Sequence, residues 1–258
     1  MRPMETAELN QRQVTILELL RQGEEVSIRR LAGRFAVSEM TVRRDVRTLE
    51  ANRLLIRTHG GGVAAGDLRF LQLAMPYYTA SPIKSAIGRR AAELVQPGMT
   101  ILLDEGTTTL EVARHIPKDA PITVATISLC VAQEFYGSAV EVVVFGGLLR
   151  KEFPSLCGPL TERMLRDFHV DMLFVGCDAA RSNQGFFFQN VQLASLTQAM
   201  LRIADRVVVV TESQKFQRTA FMQYASIAQV DTIITDAGLP TDQQQQLRDH
   251  GATVITVD

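Results

Sequence analysis

The chain of 258 residues contains only three cysteines, no long apolar run and almost no net charge. The cysteines, Cys130, Cys157 and Cys177, lack C-x-x-C spacing, which favours three reduced thiols and argues against a bound metal. No apolar run reaches the roughly 18 residues that a membrane span requires, and the N-terminus lacks the apolar core of a signal peptide. We therefore expect a cytoplasmic protein with no membrane partner, no metal and no cofactor.

The charge is distributed unevenly along the chain. A formal net charge of −1 excludes a generally basic coat for non-specific nucleic-acid binding. The first 62 residues nevertheless carry eleven Arg, no Lys and eight acidic side chains, a net charge of +3. The remainder carries 16 basic and 20 acidic side chains, a net charge of −4. This asymmetry permits a small DNA-reading module on an acidic body.

The segment that starts at Ser38, with the sequence SEMTVRRD, predicts a short helix with one buried face. Ser38 is a suitable N-cap, because its hydroxyl can accept a hydrogen bond from a free N–H group of the first helical turn. Val42, Val46 and Leu49 recur at i, i+4 and i+7, so they should face a core.

The opposite face of this helix is suited to a polyanion. Helical geometry places Met40, Arg44 and Arg47 on it, with Thr41 and Arg43 at its flanks. Guanidinium groups grip phosphates and guanine edges bidentately, so an exposed row of arginines favours DNA. An ordinary solvated helix face is the alternative, since charged faces are common.

Two further helices and a hairpin complete a predicted winged helix-turn-helix. Apolar periodicity predicts helices over about residues 8–22 and 27–35, joined tightly to the third helix. Residues 55–63 read as a two-stranded wing, whose glycines let backbone N–H groups approach phosphates. We predict that this domain, residues 5–63, binds DNA through Ser38, Met40, Thr41, Arg43, Arg44, Arg47, Arg57, His59, Gly60 and Gly61.

After a predicted linker over residues 64–83, short β-branched runs alternate with helical stretches. Strands are predicted at residues 100–103, 122–126, 141–145, 172–176, 206–211, 232–235 and 253–257. Helices are predicted at about residues 84–95, 108–117, 128–136, 159–168, 192–204 and 241–250. This alternation predicts an α/β domain over residues 84–258 with a doubly wound, mostly parallel sheet.

Polar and glycine-rich clusters follow four of the predicted strands, at the edge of the sheet where such folds bind ligands. The helix that opens after Gly106 offers free N–H groups to an anion such as phosphate, and Lys215 could supply a cation. Each cluster alone is also explained by ordinary turn and capping chemistry, but four at one edge favour a shared pocket. We predict an effector site formed by Asp104, Gly106, Thr107, Thr108, Thr109, Gly146, Gly147, Asp178 and Lys215.

Over nearly its full length the chain resembles the DeoR-type bacterial transcription regulators. The N-terminal resemblance rests on VSEMTVRRD and HGG, which start at Val37 and His59. The C-terminal resemblance rests on LDEGTTT, GG, SQKF and IITD, which start at Leu103, Gly146, Ser213 and Ile233. Glu105 is a departure, because the family commonly has a small residue there.

The resemblance implies a winged helix that binds double-stranded operator DNA. It also implies a sensor domain similar in fold to sugar-phosphate isomerases, which binds a phosphorylated sugar or related metabolite. Members of the family are usually repressors of sugar-catabolism operons and work as dimers or tetramers.

Two other functions remain open at this point. A sugar-phosphate isomerase with an accessory N-terminal domain would need a general base, for which Asp104, Glu105 or Asp178 are candidates. Nothing in the sequence pairs these acids with a partner, so we predict a regulator with no catalytic residue. Alternatively, the helical head could bind a protein instead of DNA. The sequence leaves open the operator, the effector, the target genes, the sign of regulation and the subunit count.

Overall fold

The computed structural model of the protein describes residues 10–21, 27–51, 55–57, 62–64, 81–150 and 153–258. The chain divides into two compact units, residues 1–74 and 75–258, which we call the N-terminal unit and the C-terminal unit. The predicted linker lies mostly outside the described residues.

The described residues of the N-terminal unit form three helices and a small antiparallel hairpin. The elements are α1 (Gln11–Arg21), α2 (Ile28–Phe35), α3 (Glu39–Ala51), β1 (Leu55–Arg57) and β2 (Gly62–Ala64). In the hairpin, Leu55 pairs with Ala64 and Arg57 pairs with Gly62. The core contains the predicted face of α3, formed by Val42, Val46 and Leu49, together with Ile16, Leu17, Leu19 and Leu31. This arrangement confirms the predicted winged helix-turn-helix.

Local hydrogen bonds explain where α1 and α2 begin and end. Gln13 N–H donates to Asn10 Oδ1 at 3.0 Å, and Asn10 N–H donates to Gln13 Oε1 at 3.1 Å. This reciprocal cap starts α1 at residue 11, later than predicted. Ala36 ends α2 in the left-handed conformation, with φ of 50°, and makes the tight turn into α3.

The C-terminal unit is built on a seven-stranded parallel sheet with helices between the strands. Its strands in chain order are β3 (Thr100–Leu103), β4 (Thr123–Thr126), β5 (Glu141–Val144), β6 (Leu148–Leu149), β7 (Leu156–Cys157), β8 (Val170–Val175), β9 (Ala179–Arg181), β10 (Gly185–Phe188), β11 (Ala204–Val210), β12 (Met222–Ser226), β13 (Thr232–Asp236) and β14 (Thr253–Val257). Its α-helices are α4 (Pro82–Ala92), α5 (Thr107–His115), α6 (Leu129–Phe135), α7 (Pro159–Leu165), α8 (Val191–Leu201) and α9 (Thr241–Asp249).

The order of the main sheet, β14-β13-β11-β8-β3-β4-β5, fixes where a ligand is expected. The chain runs from β3 outward to β5, and then returns to the other side of β3 and runs outward to β14. The order therefore reverses between β3 and β8, and the carboxyl ends of these two strands form the topological switch point. The predicted doubly wound, mostly parallel sheet is confirmed.

Five strands were not predicted. β6 and β7 pair in antiparallel fashion and have two residues each. β9, β10 and β12 form a separate antiparallel sheet in the order β12-β10-β9. In β10, Phe186 and Phe188 are buried against Tyr224 of β12, with ring centroids 6.4 and 4.6 Å from the tyrosine ring. The run Phe186-Phe187-Phe188 therefore belongs to the central strand of this small sheet.

Candidate functional sites

The N-terminus of α3 is capped as the sequence predicts. Ser38 Oγ accepts a hydrogen bond from Thr41 N–H at 3.2 Å, and the two hydroxyl groups lie 2.9 Å apart. The cap satisfies one of the N–H groups that a helix leaves free at its start. It therefore fixes the position at which the exposed face of α3 begins.

Beyond this cap, α3 presents an exposed basic face, which we call the α3 arginine face and define as Met40, Thr41, Arg43, Arg44 and Arg47. The three arginines are exposed, and Met40 is 71% exposed. Arg43 makes a surface ion pair with Glu39 at 3.2 Å. No hydrogen bond or ion pair among the described residues engages the guanidinium group of Arg44 or Arg47, so both are available to an external anion.

The buried side of α3 carries one carboxylate that sequence reasoning gave no role. Asp45 is 3% exposed and accepts hydrogen bonds from Asn10 Nδ2 at 3.4 Å, from Gln13 Nε2 at 3.4 Å and from the guanidinium group of Arg12. The hydrogen bond to Asp45 raises the pKa of Arg12. These contacts tie α3 to α1. An acidic residue between the core residues Val42 and Val46 was the available signal.

The structure describes only part of the predicted wing. Arg57 is the last residue of β1, and Gly62 is the first residue of β2. The predicted DNA contacts His59, Gly60 and Gly61 lie outside the described residues. Of the predicted DNA-binding residues, Ser38 and the α3 arginine face are therefore those whose side chains the structure describes.

In the C-terminal unit, a cavity of about 900 Å³ opens at the carboxyl ends of β3, β8 and β11. We call it the switch-point cavity. Six of the nine predicted effector residues line it, namely Asp104, Gly106, Thr107, Thr108, Asp178 and Lys215. The cavity therefore lies where the reversal in strand order predicts a ligand.

Asp104 links the carboxyl ends of β3 and β8, the two strands at the switch point. Its carboxylate is 1% exposed and accepts hydrogen bonds from Gly106 N–H at 2.7 Å, from Gly176 N–H at 2.8 Å and from the Thr109 hydroxyl. Burial raises the pKa of Asp104, although these three hydrogen bonds act in the opposite direction. Its oxygens are thus already engaged with the protein, and they shape the loop between β3 and α5.

The start of α5 is suited to an anion. Gly106 is the N-cap, and no side chain in the described part of the chain caps the first turn of this helix. Thr107 and Thr108 contribute hydroxyl groups next to the free N–H groups. A helix start with open N–H groups and a favourable dipole binds phosphate or carboxylate well.

Three predicted effector residues lie outside the lining of the cavity. Thr109 is fully buried, and its hydroxyl donates to Asp104. A Cβ atom at Gly147 would lie 2.1 Å from Thr161 Oγ1, so this glycine allows close packing against α7. Thr161 also donates to the carbonyl of Gly146 at 2.8 Å. The two glycines serve the contact with α7 and do not reach the cavity.

The cavity contains two ion pairs that the sequence did not predict. Arg150 pairs with Glu105, which also accepts a hydrogen bond from the Ser155 hydroxyl. Lys84 of α4 pairs with Glu212 at 3.7 Å. Burial raises the pKa of Glu105, while the charge of Arg150 lowers it. Each pair joins residues that are far apart in the sequence, so spacing gave no signal for either.

The turn after β11 supplies two more cations. Residues Ser213–Gln217 form a 3₁₀-helix, and Asp236 anchors it by accepting from Ser213 N–H at 2.7 Å and from Ser213 Oγ at 2.6 Å. Lys215 and Arg218 line the cavity from this turn, and Arg218 donates to the Gln214 amide at 3.1 Å. Phe153, Phe188 and Leu193 add an apolar wall.

Other chemistries have little support among the described residues. No group of three His, Cys, Asp or Glu side chains in the described part of the chain could hold a metal ion. Burial raises the pKa of the Cys130 and Cys177 thiols to about 12, so both stay protonated at neutral pH. No helix within the described ranges is both long and apolar enough to cross a membrane.

Comparison with known proteins covers both units. The DeoR-like helix-turn-helix domain matches residues 12–66, and the DeoR C terminal sensor domain matches residues 80–237. The HTH-type transcriptional regulator GlpR of Haloferax volcanii is 34% identical over 246 residues, which cover 95% of this chain and 96% of GlpR. The L-fucose operon activator of Haemophilus influenzae is 30% identical over 250 residues, which cover 96% of this chain and 100% of the activator.

Among solved structures, ribose 5-phosphate isomerase A of Methanocaldococcus jannaschii matches with 17% identity and a TM-score of 0.39. This match covers 51% of this chain and 52% of the isomerase. At that score it does not bear on activity. The two family matches and the near full-length relatives show that the chain belongs to the DeoR family of transcriptional regulators.

Proposed function

We propose that this regulator binds operator DNA through α3 and represses a sugar or carbohydrate catabolic operon until a phosphorylated sugar, or a related metabolite, binds the switch-point cavity. The observation that carries the DNA half is the α3 arginine face, where Arg44 and Arg47 are exposed and unengaged within the described residues. In a helix-turn-helix, this face enters the major groove.

The roles of single side chains follow from their positions on α3. Met40, Thr41, Arg44 and Arg47 point toward base edges, where Arg pairs with guanine and an apolar group contacts a thymine methyl. Arg43, Ser38 and the wing residues Arg57, His59, Gly60 and Gly61 hold phosphates. Such readers usually bind two half-sites, which supports a dimer or tetramer. Since operator DNA is the partner, the protein works in the cytoplasm.

The effector half rests on the switch-point cavity. It combines the open start of α5 with Lys215 and Arg218, which is the chemistry that recognises phosphate. Asp104 and Glu105 are engaged by hydrogen bonds and an ion pair, and Asp178 accepts from Gln189 N–H at 2.9 Å. Carboxylates held in this way are better suited to shaping a site that binds an effector than to abstracting a proton from it. We therefore propose that the protein is not an enzyme.

The direct test is selection of duplexes from a random pool with the full chain, followed by release with single sugar phosphates. We expect one enriched motif, and we expect one sugar monophosphate to weaken the complex. Lys215→Ala should lose this response, whereas Arg248→Ala, which removes an exposed cation from α9, should keep it. Recovery of no motif would contradict the DNA half, and a motif with no responsive phosphate would contradict the effector half.

A further inference from the structure

Of the four cations that line the switch-point cavity among the described residues, two are paired with buried carboxylates. The side chains of Arg150 and Glu105 are 9% and 6% exposed, and those of Lys84 and Glu212 are 14% and 9% exposed. Each cation therefore has a carboxylate partner that is itself almost removed from water. Within the described residues, neither Lys215 nor Arg218 has a carboxylate partner.

The closed cations are not free to turn toward a ligand. Arg150 lies 5.6 Å from the ring centre of Phe153, and Glu105 is held on its other oxygen by Ser155. If Arg150 left to bind an anion, Glu105 would remain buried without a counter-charge. Removing one partner from a buried ion pair costs far more than the pair contributes when intact. The same reasoning applies to Glu212, which Lys84 would leave behind.

The open cations lie one turn apart in the chain, because Arg218 N–H donates to the Lys215 carbonyl at 3.2 Å. Lys215 and Arg218 both project from the turn after β11, and the uncapped start of α5 lines the same cavity. One anionic group can therefore be satisfied there. Among the described residues that line the cavity, the other two cations, Arg150 and Lys84, are already paired with Glu105 and Glu212. A second anionic group on the same molecule would therefore find no free cation among these residues, and it would approach a carboxylate of like charge.

We propose that Glu105 and Glu212 make the switch-point cavity selective for an effector with a single anionic group, and that they reject a second phosphate or carboxylate on the same molecule. This inference rests on the proposed function and narrows its effector class to monophosphates. The uncharged remainder of such a molecule lies against the apolar wall of Phe153, Phe188 and Leu193.

The test compares matched probes on the full chain by isothermal titration calorimetry. The probes are fructose 6-phosphate with fructose 1,6-bisphosphate, glucose 6-phosphate with glucose 1,6-bisphosphate, and inorganic phosphate with pyrophosphate. For the pair that binds most tightly, we expect the wild type to prefer the monophosphate by about tenfold or more, since one like-charge contact distinguishes the two. Equal or tighter binding of the bisphosphate would overturn the inference while leaving the proposed function intact.

Two variants assign the selectivity to the carboxylates. Glu105→Gln frees Arg150, Glu212→Gln frees Lys84, and each should bring the preference toward unity by improving the bisphosphate. Glu93→Gln removes an exposed carboxylate from the end of α4 and should leave the preference unchanged. If one variant fails to fold, the other variant and the wild type still test whether a carboxylate causes the preference for the monophosphate. A preference that survives both substitutions would overturn the assignment. If no probe binds, the effector half of the proposed function fails, and this inference fails with it.

Discussion

The carboxylate of Asp104 accepts hydrogen bonds from both sides of the switch point, from Gly106 at the start of α5 and from Gly176 after β8. The Thr109 hydroxyl is a third donor. An aspartate provides two oxygens for three donors, whereas an asparagine provides one oxygen and adds an NH₂ group. The identity of this side chain therefore matters for the geometry of the loop as well as for charge.

Asp104→Asn should lower the free energy of unfolding by about 1–3 kcal/mol, because it leaves a buried N–H donor without an acceptor. Urea denaturation of the C-terminal unit within the full chain measures the change. Asp167→Asn, an exposed position after α7, is the matched control and should have little effect. An unfolding free energy equal to or above that of the wild type would show that relief of the buried charge outweighs the lost hydrogen bond.

Asp236 gives a pH-dependent prediction. Partial burial acts to raise its pKa, but hydrogen bonds from the Ser213 side chain, Ser213 N–H and Gly238 N–H outweigh it, and the pKa is lowered. Because the pKa is lower in the folded state, the ionised carboxylate stabilises the protein at pH values above the pKa of the unfolded chain, which is about 3.9 for Asp. That contribution is lost as the pH falls through the folded value.

Asp236→Asn should therefore be less stable than the wild type at pH 7, and the difference should shrink when unfolding is measured below about pH 4. Urea titrations at both pH values measure the two differences. The same gap at both pH values would mean that the ionisation of Asp236 has no part in holding the 3₁₀-helix.

Site residues within one local motif could be predicted, whereas pairs distant in sequence could not. Gly106, Thr107 and Thr108 follow directly from a strand, glycine and helix in succession. The ion pair of Glu105 with Arg150 joins residues 45 positions apart and depends on the hairpin of β6 and β7. Gly147 was predicted from its place after a strand, but a glycine also serves close packing, as against Thr161 here.

At the scale of elements, the contact between α4 and α5 depends on one glycine. A Cβ atom at Gly88 of α4 would lie 2.6 Å from the carbonyl carbon and the Cβ atom of Glu111 in α5. Gly33 of α2 is also inside a helix, but a Cβ atom there would meet nothing within 4 Å. Both glycines thus lie inside helices, but of the two only Gly88 has atoms of a neighbouring helix where a Cβ atom would be.

Alanine substitution at these two glycines should have opposite effects. Gly33→Ala should stabilise the N-terminal unit by about 0.5–1 kcal/mol, since alanine is the better helix former. Gly88→Ala should destabilise the C-terminal unit by about 1–3 kcal/mol, because the added methyl group forces the helices apart. Chemical denaturation of both variants measures the changes. Stabilisation by both would show that the contact between α4 and α5 yields without cost.

Long periodic elements could be predicted, and short ones that depend on tertiary contacts could not. All seven strands of the main sheet were predicted, with ends that differ by at most two residues. β6 and β7 have two residues each, too few for any periodic pattern. For β9 and β10, the turn residues Ser182 to Gln184 were a usable signal. Helix ends differ by up to three residues, as capping at Asn10 illustrates.

At the scale of the whole molecule, the two units have separate chemistries. The N-terminal unit exposes cationic side chains on α3, and the C-terminal unit contains a cavity lined by two carboxylate–cation pairs and, among the described residues, by two cations without a carboxylate partner. Regulation requires that effector and operator each change the affinity of the other by the same factor. The sign of control follows from whether the effector weakens or strengthens the DNA complex.

The measurement that tests the central claim most directly is fluorescence anisotropy of a selected operator duplex with the wild type, Arg44→Ala and Arg248→Ala. We predict that Arg44→Ala weakens binding by about 1–3 kcal/mol through loss of a bidentate base contact, and that Arg248→Ala binds as the wild type does. Circular dichroism confirms that the variants are folded. Operator affinity unchanged in a folded Arg44→Ala would contradict the assignment of the α3 arginine face to the DNA groove.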